Sequence, residues 1–264
     1  MMGILLAEWM KTKRTMVRWI TFFLPLFLAG CIIGYITLRG AGKDFPMTTF
    51  QIFFETWTIF VIPMGVGILA GYVVHQEELA GSFNAFLSVS FSRNKLYLAK
   101  YLPICITIMI STFLATIAFG IGITFIFPEL SKMWLFFLIG AILAVIGTLP
   151  ILAIHLWLSF AWGMGASIGV GICGLLMAAF IGGTGLGNSI WQFIPWALPV
   201  RLVKNLSPYL QFSADMTTPP PLVSSGWAVH QFFIGMTSVG CYLFIALLGG
   251  MVWFSKWEGR KYYE

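Results

Sequence analysis

Long uncharged apolar runs, separated by short charged clusters, dominate the chain from end to end. Between Arg18 and Arg39 lie 20 residues without a charge, the number a helix needs to cross a hydrocarbon core of about 30 Å. Comparable runs recur, and together they predict spans over about 19–38, 51–74, 101–127, 134–160, 166–181 and 228–254. The crossings must be helical because lipid offers backbone groups no hydrogen-bond partners. Pro128-Glu129 stops the third run, where proline and charge end a helix together. From Met133 to Val200 there are 68 residues without Asp, Glu, Lys or Arg. The turn around Trp162-Gly163-Met164-Gly165 divides this stretch into spans four and five. The region 182–227 is irregular: it opens with Gly-Gly-Thr-Gly-Leu-Gly and holds Pro195, Pro199 and a triple proline at 219–221. It reads as an outer re-entrant or interfacial element between spans five and six.

Composition agrees. Of 264 residues, 59% are hydrophobic and 9% charged, with mean hydropathy +0.92, which excludes a soluble domain. The expected fold is all-α: one polytopic membrane domain, 1–264, with about six transmembrane helices. Leu28-Ala29-Gly30-Cys31 imitates a lipoprotein processing site, but the apolar run continues to Leu38, so the segment reads as a retained span. Cys31, Cys105, Cys173 and Cys241 stand singly, without metal-ligand spacing, and read as small core residues. The net charge of +6 sits beside membrane segments, so orientation explains it and nucleic acid does not. With both termini cytoplasmic, Lys11, Lys13, Arg14, Arg18, Arg93, Lys95, Lys100, Lys256, Arg260 and Lys261 lie inside. Arg39, Lys43, Lys132, Arg201 and Lys204 lie outside, which satisfies the positive-inside rule. A seventh span between 187 and 206 would spoil that bias.

Two polar segments carry the functional expectations. Over residues 1–17 and the adjoining Arg18, Glu8, Lys11, Thr12, Thr15 and Arg18 share a face, while Lys13 projects among Leu5, Leu6, Trp9 and Met10. An interfacial amphipathic helix fits, with Lys13 snorkelling. In the 75–100 loop, Leu79, Phe83, Phe86 and Leu87 fall at helical spacing, and Glu77 and Glu78 occupy the first turn, where the helix dipole favours acids. A short amphipathic helix there, followed by Ser92-Arg93-Asn94-Lys95, lies on the membrane or enters a partner's groove.

An acidic pair leading into a small-residue and aromatic helix, then Ser-Arg-x-Lys and a returning span, resembles the first cytoplasmic loop of type-2 ABC exporter permeases. The layout of an N-terminal interfacial helix, six spans and a re-entrant element is similar over nearly the whole chain. The resemblance implies a cytoplasmic coupling helix that docks on an ATPase, with Glu77, Glu78, Gly81, Phe83, Phe86 and Arg93 as coupling contacts. It implies a bacterial cytoplasmic membrane protein working with an ABC ATPase dimer, which would bind the ATP and Mg, and with a second permease copy or homologue. The size, the missing outer domain and Pro-Trp-Ala-Leu-Pro-Val-Arg at 195–201 resemble lantibiotic-immunity and bacitracin-resistance permeases. That narrower likeness implies export of an amphipathic peptide antibiotic, with Trp191, Pro195, Trp196, Pro199 and Arg201 as the outer re-entrant element.

The remaining candidates are sparse. Glu55 is the one acid inside a predicted span, and so a substrate-pathway candidate; pairing with Arg39 or Lys43 is the structural alternative. Gly165 and Gly169, at GxxxG spacing, with Gly171 and Gly174, suit close packing within the chain. His155 and His230 read as packing residues, and Trp134, Trp191, Trp196, Trp227, Trp253 and Trp257 as an interfacial belt. Gly42-Lys43 is followed by Asp44, so no phosphate-binding loop is present, and no HExxH or GxSxG occurs. The chain is expected to be neither an ATPase nor another enzyme, and to bind no cofactor or metal itself. The competing reading is an ion-coupled secondary transporter or channel, which would need ionisable groups at the midplane.

Overall fold

The computed structural model describes residues 9–11, 15–40, 42, 44–81, 83–88, 91–211, 218 and 220–259. Among them the chain is helical, without a strand. Helix α1 is Met16–Arg39, α2 Phe45–Leu79, α3 the single turn Asn84–Leu87 and α4 Arg93–Ile126. Next come α5, Trp134–Met177, α6, Leu198–Lys204, and α7, Trp227–Ser255. The interfacial helix expected over 1–17 lies largely outside the described residues; 9–11 are helical.

Among the described residues, five helices are long and apolar enough to cross a membrane: Val17–Arg39, Phe45–Leu79, Arg93–Ile126, Pro128–Gly183 and Trp227–Ser255. The fourth is folded. Its 44-residue α5 would run about 66 Å if straight, yet Gly163 adopts φ 89°, ψ −178° and reverses the chain. His155 Nδ1 consequently lies 3.0 Å from Ser167 Oγ, although twelve helical residues would separate them by about 18 Å. The two arms, 134–162 and 164–177, lie side by side, and the π-helical turn Ala178–Gly183 extends the second.

The inner half of α2 packs along α5, α1 lies against α4, and α7 closes over α5 and α4. Glycine lets the first of these pairs touch backbone to backbone. A Cβ at Gly67 would stand 2.9 Å from the Ser167 carbonyl oxygen, and one at Gly171 2.9 Å from that of Pro63. The close packing expected at Gly165 and Gly169 is therefore made at Gly171 and Gly174 instead; a Cβ at either Gly165 or Gly169 meets nothing within 4 Å. In α2 the backbone widens to a π-helix over Thr56–Val61, just before Pro63, which has no N–H to offer the preceding turn.

Two aromatic clusters pin the ends of the bundle. At one, Phe53 stacks on Phe119 at 4.4 Å, with Phe54 and Phe137 against them. At the other, Phe160 gathers Phe86, Tyr97, Phe254 and Trp257. Cys31, Cys173 and Cys241 are exposed on helix surfaces and not in the core as expected, because an apolar side chain satisfies a lipid-facing site as well as an internal one.

Candidate functional site

At the Phe160 end, α2 and α4 both run past the predicted span limits, since charged residues end a hydrocarbon crossing without ending a helix. The connecting loop narrows to 80–92. It does not form the continuous amphipathic helix expected from Leu79, Phe83, Phe86 and Leu87. Gly81 at φ +122° and Phe83 at φ +67° break the helical period, leaving only the turn α3. Phe83 and Phe86 face inward onto Phe160, with Phe83 also on Trp257 and Phe86 on Phe254. Leu79 is left 74% exposed, and Phe91 44%.

Glu77 occupies the centre of this end. Its Oε1 accepts from Lys100 Nζ and, at 2.6 Å, from Lys11 Nζ. Lys100 is only 1% exposed, and its ammonium also lies 5.2 Å from the centre of the Phe86 ring. One carboxylate thus ties the described N-terminal turn to the last turn of α2 and the start of α4. Glu78 bonds His75 Nδ1 at 3.0 Å one turn back. Arg93 is half-buried, and its Nη1 finds no hydrogen-bond partner among the described residues.

At the opposite end, residues 184–206 enter the bundle. Trp191 is 2% exposed, and Leu198, Leu202 and Val203 are likewise buried. Pro199 seats on Gly147, where a Cβ would stand 2.6 Å from its Cα. Trp196 fills the space left by Gly174, nine residues or about 14 Å before the end of the second arm at Gly183. Its Nε1 donates to His155 Nε2 at 3.4 Å. Because Trp can only donate, Nε2 is the acceptor, and the imidazole proton sits on Nδ1. That N–H donates to Ser167 Oγ, whose hydroxyl donates to the Gly67 carbonyl at 2.9 Å. His155 is thereby a neutral, fully bonded junction of the inserted segment, both arms of α5 and α2. Trp191 and Trp196 are internal pegs, not members of an interfacial belt.

Arg201 and Lys204 answer the carbonyls at the end of the second arm. Arg201 donates to Ile181 O, Thr184 O and Asn188 Oδ1, and Lys204 donates to Gly183 O at 2.7 Å. These groups have no helical partner, and cations suit a helix C-terminus. Lys204 Nζ also lies 3.8 Å from Glu55 Oε1. The partner of Glu55 is therefore Lys204, not Arg39; Lys43 lies outside the described residues. Pro195 is buried at the head of this segment.

Phe91 is not singled out by the sequence. Lys100 and Lys204 enter there only as charges that orient the chain, Lys11 as such a charge and on the polar face of the N-terminal segment, and Leu79 only on the apolar face of the loop helix. An acid in the last turn of α2 and a lysine early in α4 is the signal that could have paired Glu77 with Lys100, because the intervening loop brings those turns together. No group of three or more His, Cys, Asp or Glu suited to a metal occurs among the described residues.

A family model described as ABC-2 family transporter protein matches residues 4–177. The chain belongs to the ABC-2 transporter family. No curated protein and no solved structure matches it. As an ABC-2 family member it is the permease component of an ABC transporter, a membrane transport component whose family implies an ABC ATPase partner. The matched residues take in the Glu77 junction, the 80–92 loop and Glu55; the inserted segment follows them.

Proposed function

We propose that this ABC-2 permease pairs with a second permease copy and an ABC ATPase dimer to expel an amphipathic peptide, in the manner of lantibiotic-immunity exporters. The reversal at Gly163 supports reading the fourth apolar helix as two crossings, six in all, with both termini and the 80–92 loop on the ATPase side. In this reading residues 184–206 are re-entrant from the outer face. The Pro-Trp-Ala-Leu-Pro-Val-Arg segment at 195–201 supports the peptide class.

The observation that carries the coupling role is the placement of Glu77 beneath an exposed loop. Leu79 at the end of α2 and Phe91 in the loop face outward, while Phe83, Phe86 and the Lys11–Glu77–Lys100 junction bind the loop to three helical segments. A push on that loop is transmitted to α2 and α4 together. Leu79 and Phe91 make the ATPase contact; Glu77, Phe83 and Phe86 hold the loop that presents them, and Gly81 supplies its bend. Glu78 and Arg93 flank the contact. ATP and Mg reside on the ATPase.

The test is co-purification of the tagged permease from its native membrane in mild detergent. Leu79→Asp with Phe91→Asp should release the ATPase while leaving thermal stability unchanged, and Phe83→Ala should lower stability. An ATPase retained at full stoichiometry by the double variant overturns the assignment.

A further inference from the structure

Thr21, Thr49, Thr58, Thr107, Thr112, Thr116 and Thr148 are the buried threonines among the described residues. All but one have a partner inside the protein. Thr21, Thr58, Thr107, Thr116 and Thr148 donate to the carbonyl one helical turn back, and Thr112 receives the Trp57 indole N–H at 3.1 Å. Thr49 is the exception. It is 1% exposed, yet its Oγ1 has no hydrogen-bond partner. A buried hydroxyl left so costs about 1–3 kcal/mol, and a helical threonine normally avoids that by bonding its own helix.

Thr49 lines a crevice where α1 ends and α2 begins, together with Ile36, Arg39, Gly42, Phe45 and Thr48. The space there is open: a Cβ at Gly40 or Gly42 would meet nothing within 4 Å. A helical threonine has two χ1 rotamers open to it, so its hydroxyl can turn to an acceptor placed in the crevice. The other groups around it are donors. Arg39 is exposed and unpaired among the described residues. Asp44, the N-cap of α2, makes no side-chain cap bond and is not among the crevice walls. Pro46 has no N–H, and those of Phe45 and Met47, in the first turn of this 35-residue helix, have no helical partner. A guanidinium, a free hydroxyl and a helix N-terminus together complement an oxyanion.

We propose that this crevice takes one phosphate group, with Arg39 paired to two of its oxygens and the Thr49 hydroxyl and the first N–H groups of α2 donating to the others. A tetrahedral phosphate has enough acceptors for all of these donors, which a carboxylate lacks. The crevice lies level with the end of α1, where Tyr35 and Leu38 are 54% and 90% exposed beside Arg39. A phospholipid headgroup and free phosphate are the two sources of such a group. The site depends on neither the ATPase nor the exported substrate.

Two measurements on the full chain test this. Native mass spectrometry compares phosphatidylglycerol with diacylglycerol, which lacks the phosphate, and thermal unfolding in detergent compares inorganic phosphate with chloride at equal ionic strength. One phosphatidylglycerol per chain, retained at collision energies that strip diacylglycerol, assigns the site to a headgroup. A phosphate-dependent rise in midpoint without lipid retention assigns it to free phosphate. In either case Arg39→Gln and Thr49→Val should each weaken binding about tenfold, and Thr49→Ser should bind as the parent does. Without ligand, Thr49→Val should keep the parental midpoint, because its hydroxyl has no bond to lose; a role in packing alone would lower it. No preference for phosphate by the unaltered chain in either measurement overturns the proposal, and does so without any variant. Binding unchanged in folded Arg39→Gln or Thr49→Val overturns the location.

Discussion

Replacing Glu77 with Gln keeps the shape of the side chain and removes its charge. The consequences for its two partners should differ sharply. Lys11 is half exposed, so water and salt compensate much of its loss, and an exposed pair is worth about 0.2–1 kcal/mol. Lys100 is 1% exposed and loses the carboxylate it donates to inside the protein. Breaking a buried pair from one side costs about 3–5 kcal/mol. Taking the lower end, because Gln still accepts a hydrogen bond, Glu77→Gln should destabilise by roughly 3 kcal/mol, or about 6–12 °C of thermal midpoint for a chain of this size. Lys11→Ala should shift the midpoint by no more than a few degrees. The double variant Glu77→Leu, Lys100→Met removes both buried charges and should recover most of the loss. The assay is thermal unfolding of the purified permease in one detergent, followed by intrinsic tryptophan fluorescence. Equal, small shifts for Glu77→Gln and Lys11→Ala, with no recovery in the double variant, would refute the buried-junction argument.

Three further outcomes follow from the inserted segment. Gly147→Ala places a methyl 2.6 Å from Pro199 Cα, where only backbone can yield, so it should cost about 1–3 kcal/mol; an unchanged midpoint in the same assay counts against the seating of Pro199. Arg201→Met leaves the Ile181 and Thr184 carbonyls without their donors at about 1–3 kcal/mol. Arg201→Lys should recover part of this, and a Met variant as stable as the parent would show that water serves those carbonyls. Glu55→Gln disturbs a 3.8 Å pair whose members are 42% and 35% exposed, so stability should change by less than about 1 kcal/mol. Transport should fall if Glu55 lines the pathway, and transport at the parental rate would assign it to structure alone.

The helical class and the long apolar helices were legible because hydropathy and charge act over whole segments. Pro128 and Glu129 mark the end of α4, and the chain reverses at Gly163, within the Trp162–Gly165 turn. Other features depended on partners that periodicity does not encode. Leu79 and Phe83 have helical spacing, but positive φ at Gly81 and at Phe83 itself turns their faces apart. Trp191 and Trp196 carry the composition of a membrane belt, and hydropathy cannot distinguish a ring facing lipid from one facing a glycine on another helix. Arg201 looked like an outer-loop charge, whereas its guanidinium closes a helix end twenty residues earlier. Glu77 and Lys100, 23 residues apart, belong together only once the 80–92 loop has folded.

The reversal at Gly163 also determines what the protein can show on that side. A single glycine replaces an entire connection, so the two arms of α5 meet in a blunt hairpin with Phe160 turned inward beneath it. Such a tip offers a protease no segment to thread and a partner no strand or helix to grip. At the turn itself Trp162 is 61% exposed, while among the described residues the 80–92 loop is the longer connection beside it. A machine acting from that face meets a single ring, Trp162, at a one-residue turn, and beside it a loop of about a dozen residues.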